Sequence, residues 1–265
     1  MKIYTFCAPK GGVGKTSLAY NYGEWLADRG HRVLLIDSDH QCSLTQTYGI
    51  YTENNTLAEI FLPGDSSVEI LKLNKNLDLI PCSLKLDKVN NEIQTKTNKD
   101  MLFFMWLLDY SDANPSFNEY DYVVIDCHPD FSTITKNMIA VSDFIISPVE
   151  PSEYSYTSKA NLDVRFKEFQ RELIDPIKRT SYITAELYFI ANKIKHNTKS
   201  SRDFIEQFMK DDHILDIVIP EKELINKSVL DRRPVHALMK DPTIFRKHRA
   251  FFESIQESFE KLEEL

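Results

Sequence analysis

The sequence is short of the features that would take it out of the ordinary globular class. It has only 4 cysteines in 265 residues, and Cys7, Cys42, Cys82 and Cys127 form no C-x-x-C pair. Scattered single cysteines argue for reduced thiols and against a disulfide frame, a zinc ribbon or a cysteine-paired iron–sulfur cluster. Glycine (7) and proline (11) are too sparse for a collagen-like or low-complexity chain. No Gly-, Ser- or Pro-rich linker divides the chain, so residues 1–265 read as a single domain. No apolar run approaches the ~18 residues a membrane-spanning helix needs. The start at Met1 leads straight into a strand-like run without the zones of a signal peptide, and a cytoplasmic protein is expected. Basic residues are outnumbered 32 to 40, for a net charge of −8. That charge argues against a uniform coat of nucleic acid and does not exclude a local basic face.

What is present is an alternation of buried strands and amphipathic helices. Ile3–Cys7, Val33–Asp37, Leu77–Pro81, Tyr122–Asp126, Phe144–Val149, Leu187–Asn192 and Ile214–Pro220 are short apolar runs of the kind buried on both faces of a parallel sheet. Between them lie helical patterns. One runs from about Lys15 to Arg29, with Leu18, Tyr22, Trp25 and Leu26 on one face and Gly30 as its stop. A second follows Pro151, with Leu162, Phe166, Phe169 and Leu173 on one face. A third opens at Asp241-Pro242 and carries Phe245, His248, Phe252, Ile255, Phe259 and Leu262. Thr56 with Glu59 forms a capping box for a short helix. The fold class expected is α/β, a doubly wound and mostly parallel sheet flanked by helices.

Between the first strand and first helix stands Lys10-Gly11-Gly12-Val13-Gly14-Lys15-Thr16-Ser17. Glycines let backbone N–H groups close around phosphate oxygens at a helix N-terminus. Lys15 is placed to reach the β- and γ-phosphates, and the Thr16 hydroxyl to hold Mg²⁺. The pattern G-x-x-x-x-G-K-[ST] fails at its first glycine, where Pro9 stands. An additional lysine, Lys10, precedes the glycine pair instead.

In this form the motif resembles the deviant Walker A of the ParA/MinD family of P-loop ATPases. Three further segments are similar in the same order. Asp37-Ser38-Asp39-His40-Gln41 resembles the D-x-D-P-Q switch I, with His40 in place of the proline. Asp126-Cys127-His128-Pro129 resembles the D-x-P-P switch II, and Val218-Ile219-Pro220 resembles the V-I-P segment beside adenine. The resemblance implies ATP and Mg²⁺ as cofactors and a homodimer that forms with ATP. It implies that Lys10 acts on the nucleotide of the other subunit, and that Asp39 orients the attacking water. Asp37 and Asp126 are implied near Mg²⁺, through water. Asn192, Pro220 and Lys222 are implied around the adenine.

Two basic segments interrupt the acidic chain. Residues 165–202 hold nine Lys/Arg against four acids, and residues 227–249 hold seven against two. With the resemblance, this asymmetry favours a ParA-type partition ATPase that binds DNA non-specifically through phosphates, with Lys195, Lys199, Arg202, Arg246, Lys247 and Arg249 as candidate contacts. With a phosphate loop starting at residue 10, no operator-reading domain is expected before it. The expected partners are a second copy, DNA and a ParB-type centromere-binding protein that stimulates hydrolysis, and the expected location is the nucleoid. The end of the chain, with glutamates at 257, 260, 263 and 264, is unsuited to an anionic membrane. A MinD-like membrane-associated ATPase and a small-molecule enzyme on the same scaffold are the alternatives.

Overall fold

Neighbouring residues of each core strand belong to different cores. Ile3, Leu34, Val123 and Ile145 pack in one apolar cluster, whereas Tyr4, Leu35, Val124 and Ile146 pack in another. This period-two division makes one sheet with helices on both faces. The computed structural model describes residues 1–62, 67–152, 155–196 and 198–265.

The strands are β1 Lys2–Phe6, β2 Val33–Ser38, β3 Leu71–Lys72, β4 Leu77–Ile80, β5 Tyr122–Cys127, β6 Phe144–Val149, β7 Glu186–Ile194 and β8 Ile214–Pro220. The helices are α1 Lys15–Asp28, α2 Ser43–Thr47, α3 Lys85–Glu92, α4 Leu102–Ala113, α5 Thr133–Val141, α6 Ser155–Glu172, α7 Lys199–Phe208, α8 Glu223–Leu230, α9 Val235–Met239 and α10 Pro242–Glu263. The sheet order is β3-β4-β2-β5-β1-β6-β7-β8, parallel throughout except for the β3–β4 pair. The doubly wound, mostly parallel α/β sheet expected from the sequence is therefore the fold, with β3 as an added antiparallel edge. Two residues are too few for β3 to carry a pattern of its own.

The chain winds to one side of β1 before β6 and to the other side after it. β1 thus lies at the point where the strand order reverses, and ligands bind at the carboxyl ends of the strands there. Register places the acidic residues at that end. Phe6 pairs with Asp126, and Asp126 pairs in turn with Asp37.

Helix α1 stops as its sequence requires. Gly30 takes φ +97° just beyond it, and the Gly30 and His31 N–H groups donate to Ala27 O and Leu26 O. Asp241 caps α10 by accepting from the Thr243 and Ile244 N–H groups at 2.9 and 3.2 Å. The Thr56–Glu59 capping box is present, but it opens a 3₁₀ turn, Leu57–Phe61, instead of an α-helix. α10 is kinked at His248. Phe252, Ile255, Phe259 and Leu262 are buried, and Tyr4 OH donates to Leu262 O, so the aromatic stripe of α10 is core. Among the described residues no helix is long and apolar enough to cross a membrane.

Gly23 marks the closest approach of α1 to the sheet. A Cβ there would lie 2.5 Å from Leu35 Cδ2 on fully buried β2. Alanine gains about 1 kcal/mol of helix propensity but overpacks a core at about 1–3 kcal/mol. Gly23→Ala is expected to lower the thermal midpoint, and a melting curve measures it.

Candidate active site

The loop that follows β1 turns through two left-handed glycines, Gly12 at φ +76° and Gly14 at φ +97°, before α1 begins at Lys15. The turn leaves the first N–H groups of α1 facing a cavity of about 370 Å³. Gly11, Gly12, Gly14, Lys15, Thr16 and Ser17 line it on one side. Asp39, Gln41, His128 and Pro129 close a second side, and Asn192, Lys193, Pro220, Glu221 and Lys222 a third. The four sequence segments with family-like motifs therefore meet around one cavity.

Two lysines of the loop point to different places. Lys15 is buried, with Nζ 3.4 Å from Lys10 O. Lys10 does not line the cavity. Its Nζ pairs with Glu150 Oε1 at 2.5 Å and with Ser152 Oγ at 3.0 Å, at the end of β6.

Asn192 supports the loop from below. Its Nδ2 donates to Val13 O at 2.7 Å, and a Cβ on Gly14 would stand only 2.6 Å from it. The amide of Asn192, expected beside the adenine, thus spends its N–H₂ on the loop carbonyl and keeps its Oδ1 for other partners. Lys193, which no motif of the sequence singles out, takes φ +55° and donates to Gly12 O. Nothing in the run Asn192-Lys193 marks that role, because it depends on β7 ending beneath a loop about 180 residues upstream in the chain.

The three aspartates have distinct surroundings. Asp37 is fully buried, and its Oδ2 accepts from Thr45 N at 2.8 Å and Thr45 Oγ1 at 2.7 Å. Burial pushes its pKa up to about 6 against those hydrogen bonds. Asp126 is also fully buried, and neither carboxylate oxygen has a partner at hydrogen-bond geometry. Burial and then the charge of Asp37 push its pKa well up, while the neighbouring Thr16 hydroxyl and Lys15 oppose them. Asp39 is near the surface of the cavity. Its Oδ1 accepts from Gln41 N at 2.9 Å and meets His128 Nδ1 at 2.8 Å.

Orphaned buried carboxylate oxygens beside a loop threonine suit a hard divalent cation that keeps part of its water. The residues present therefore fit Mg²⁺, with Thr16 and Asp126 as its holders and Asp37 more fully occupied by Thr45. Without a cation, Asp126 weakens the fold. A carboxyl whose folded pKa is raised loses stability as pH climbs from its unfolded pKa towards the folded one. Asp126→Asn is expected to stabilise the nucleotide-free protein at about pH 8, seen as a higher thermal midpoint. The gain should shrink as pH falls and vanish below about pH 3, under the unfolded pKa of about 3.9, where both states hold the proton. Calorimetry across pH checks it.

The six candidate DNA contacts are all exposed. Lys195 Nζ lies 3.9 Å from Glu221 Oε2, just beyond β8. The pKa of His248 is lowered by lost hydration and by Lys222 and Lys247. The end of β7 and the end of β8 therefore meet at the Lys193–Lys222 rim of the cavity, with Lys195 beside Glu221.

Residues 1–179 match the family described as an AAA domain. The chromosome partitioning protein ParA of Caulobacter vibrioides is 27% identical over 239 residues, which are 89% of this chain and 86% of that protein. The chain belongs to the ParA-type ATPase family. A putative plasmid partition protein from Borrelia burgdorferi, crystallised with AMPPNP, superposes with a TM-score of 0.73 at 27% identity and covers 100% of this chain and 99% of that one. The chain also spans half the length of an uncharacterized Mycobacterium tuberculosis protein, with 31% identity over 166 residues, 61% of this chain. Family membership accounts for the loop and the Asp126 strand end.

Proposed function

We propose that the chain is an ATP-hydrolysing partition ATPase that works as a nucleotide-sandwich dimer on DNA, within the nucleoid. The observation that carries this reading is the division of labour between the two loop lysines. Lys15 faces its own cavity, whereas Lys10 is held outside it by Glu150. A cation of the phosphate loop that does not serve its own nucleotide is suited to serving the nucleotide of a second copy. There it neutralises charge that develops on the γ-phosphate oxygens, as an arginine finger does.

In this reading the loop N–H groups and Lys15 hold the phosphates, and Asp39 orients the attacking water. Mg²⁺, held by Thr16 with Asp126 behind it, neutralises phosphate charge when bound. Pro220 and Lys222 border the adenine, with Asn192 fixing the loop against them. A ParB-type centromere-binding protein would stimulate hydrolysis and release the dimer from DNA. The packing of the α10 stripe into the core speaks against a lipid anchor in that helix.

Co-sedimentation with DNA and with liposomes, each with ATP, ADP or no nucleotide, tests the reading. The expected result is DNA binding with ATP alone and no liposome binding. If two basic rims neutralise about six phosphates, log affinity should fall with log salt at a slope near about −5. Charge reversal at Lys195, Lys199 or Arg202 should weaken binding to every DNA alike. It should also flatten that slope by about one unit for each phosphate that a subunit ceases to neutralise. Equal affinity with ATP and ADP, or binding to liposomes instead of DNA, would count against it.

A further inference from the structure

Two histidines at the ends of adjacent strands, His40 after β2 and His128 after β5, stand against each other. The rings of His40 and His128 lie 4.1 Å apart between centroids, with their planes tilted by 37°. His128 Nδ1 is 2.8 Å from Asp39 Oδ1. One ring nitrogen from each histidine and one Asp39 oxygen all fall within 4.8 Å of one another. The juxtaposition follows from the sheet, since β2 and β5 are adjacent in register, with Asp37 opposite Asp126 one residue before both strands end. The segments two and three residues beyond these aspartates must then converge.

Two imidazoles and a carboxylate make a donor set unlike that of the Mg²⁺ position. Hard Mg²⁺ takes oxygen ligands and parts reluctantly with its water. Imidazole nitrogen favours borderline transition metals, and two histidines with one carboxylate is a ligand set that holds Zn²⁺ with a further position open. Asp39 and His128 line the cavity, so that open position faces solvent or nucleotide. The cluster is also only partly buried, with side-chain exposures of 24% for His128 and 10% for Asp39, so an ion can reach it without unfolding.

We propose that Asp39, His40 and His128 bind one divalent transition-metal ion of the zinc class, at a site separate from the oxygen ligands Thr16 and Asp126. The ion ties up the Asp39 carboxylate and so suspends ATP hydrolysis. That consequence rests on the water-orienting role given to Asp39 above, whereas the binding itself does not.

The test is calorimetric titration of the full nucleotide-free chain with Zn²⁺ in excess Mg²⁺, with Co²⁺ as a spectroscopic substitute. One equivalent of Zn²⁺ should bind, and Co²⁺ should give visible absorption bands that Zn²⁺ abolishes. His40→Ala and His128→Ala should each weaken binding at least about tenfold, since even outer-sphere partners of a metal site cost that much. His196→Ala, at an exposed histidine elsewhere, and Asp126→Asn should leave binding unchanged. Failure of the wild-type chain to take up Zn²⁺, or retention of wild-type affinity in both His40→Ala and His128→Ala, would overturn the site. Stoichiometric Zn²⁺ should slow Mg·ATP turnover of the wild-type chain and not that of His40→Ala. Stoichiometric binding with undiminished turnover would overturn the regulatory half alone. The isotherm stands as a readout whether or not the chain hydrolyses ATP.

Discussion

Lys10→Ala should bind ATP nearly as well as the wild-type chain and yet hydrolyse it about a thousandfold more slowly, the scale set by removing an arginine finger. Lys15→Ala should fail one step earlier, at binding. Lys15 is the buried cation of the cavity and lies close enough to Asp126 to oppose the rise in its pKa. Its loss removes a charge-assisted hydrogen bond to phosphate worth about 1.5–3 kcal/mol, or about 10- to 150-fold in affinity. It also leaves the Asp126 carboxyl without its nearest cation. Lys10 touches none of this, because Glu150 and Ser152 hold it at the end of β6. Equilibrium binding of a fluorescent ATP analogue and phosphate release, measured on both variants, separate the two lysines. Wild-type turnover in Lys10→Ala would show that the second subunit's cation is not needed. Loss of ATP binding in Lys10→Ala would place Lys10 in its own cavity after all.

The parts of the site legible in the sequence are those where local chemistry and position agree. A glycine loop after an apolar strand and before an amphipathic helix has one geometric solution, and the left-handed Gly12 and Gly14 adopt it. Asp37 and Asp126 are legible because each stands near the end of an apolar strand run, where a doubly wound sheet presents its ligand. Much of the remainder depends on contacts between distant segments. Asn192 meets Val13 across 179 residues, and His128 meets Asp39 across 89. No spacing rule connects residues that a sheet brings together only after it has formed. The helix α4, Leu102–Ala113, is hidden for a different reason. Its run Leu102-Phe103-Phe104-Met105-Trp106-Leu107-Leu108 is apolar on every side, so it shows no helical period to read. Among these only Phe103 is fully buried; Leu102, Phe104, Trp106 and Leu107 pack part-exposed against the same core, and Met105 and Leu108 are exposed.

Asp39→Ala should trap the ATP state. The substitution removes a carboxylate that accepts from Gln41 N and meets His128, while Lys15, Thr16, Asp126 and the loop N–H groups stay as they are. Binding of ATP and Mg²⁺ should therefore persist. On the proposed reading, what disappears is the group that positions the attacking water, and a positioned acid–base group is worth about 10²- to 10⁴-fold in rate. A dimer held together by uncleaved ATP then has no route to dissociate. Size-exclusion chromatography with ATP and Mg²⁺ should show Asp39→Ala at twice the monomer mass, and on DNA it should resist a chase with excess ADP. Asp126→Asn should give the contrasting outcome: on the proposed reading it weakens Mg²⁺ binding, and the ATP dimer should then fail to form. A monomeric Asp39→Ala that still turns over ATP would move the water-orienting role to another residue. Of the aspartates at these strand ends, Asp126 has the open oxygens to take it, since those of Asp37 are engaged by Thr45 and by the Asp39 N–H.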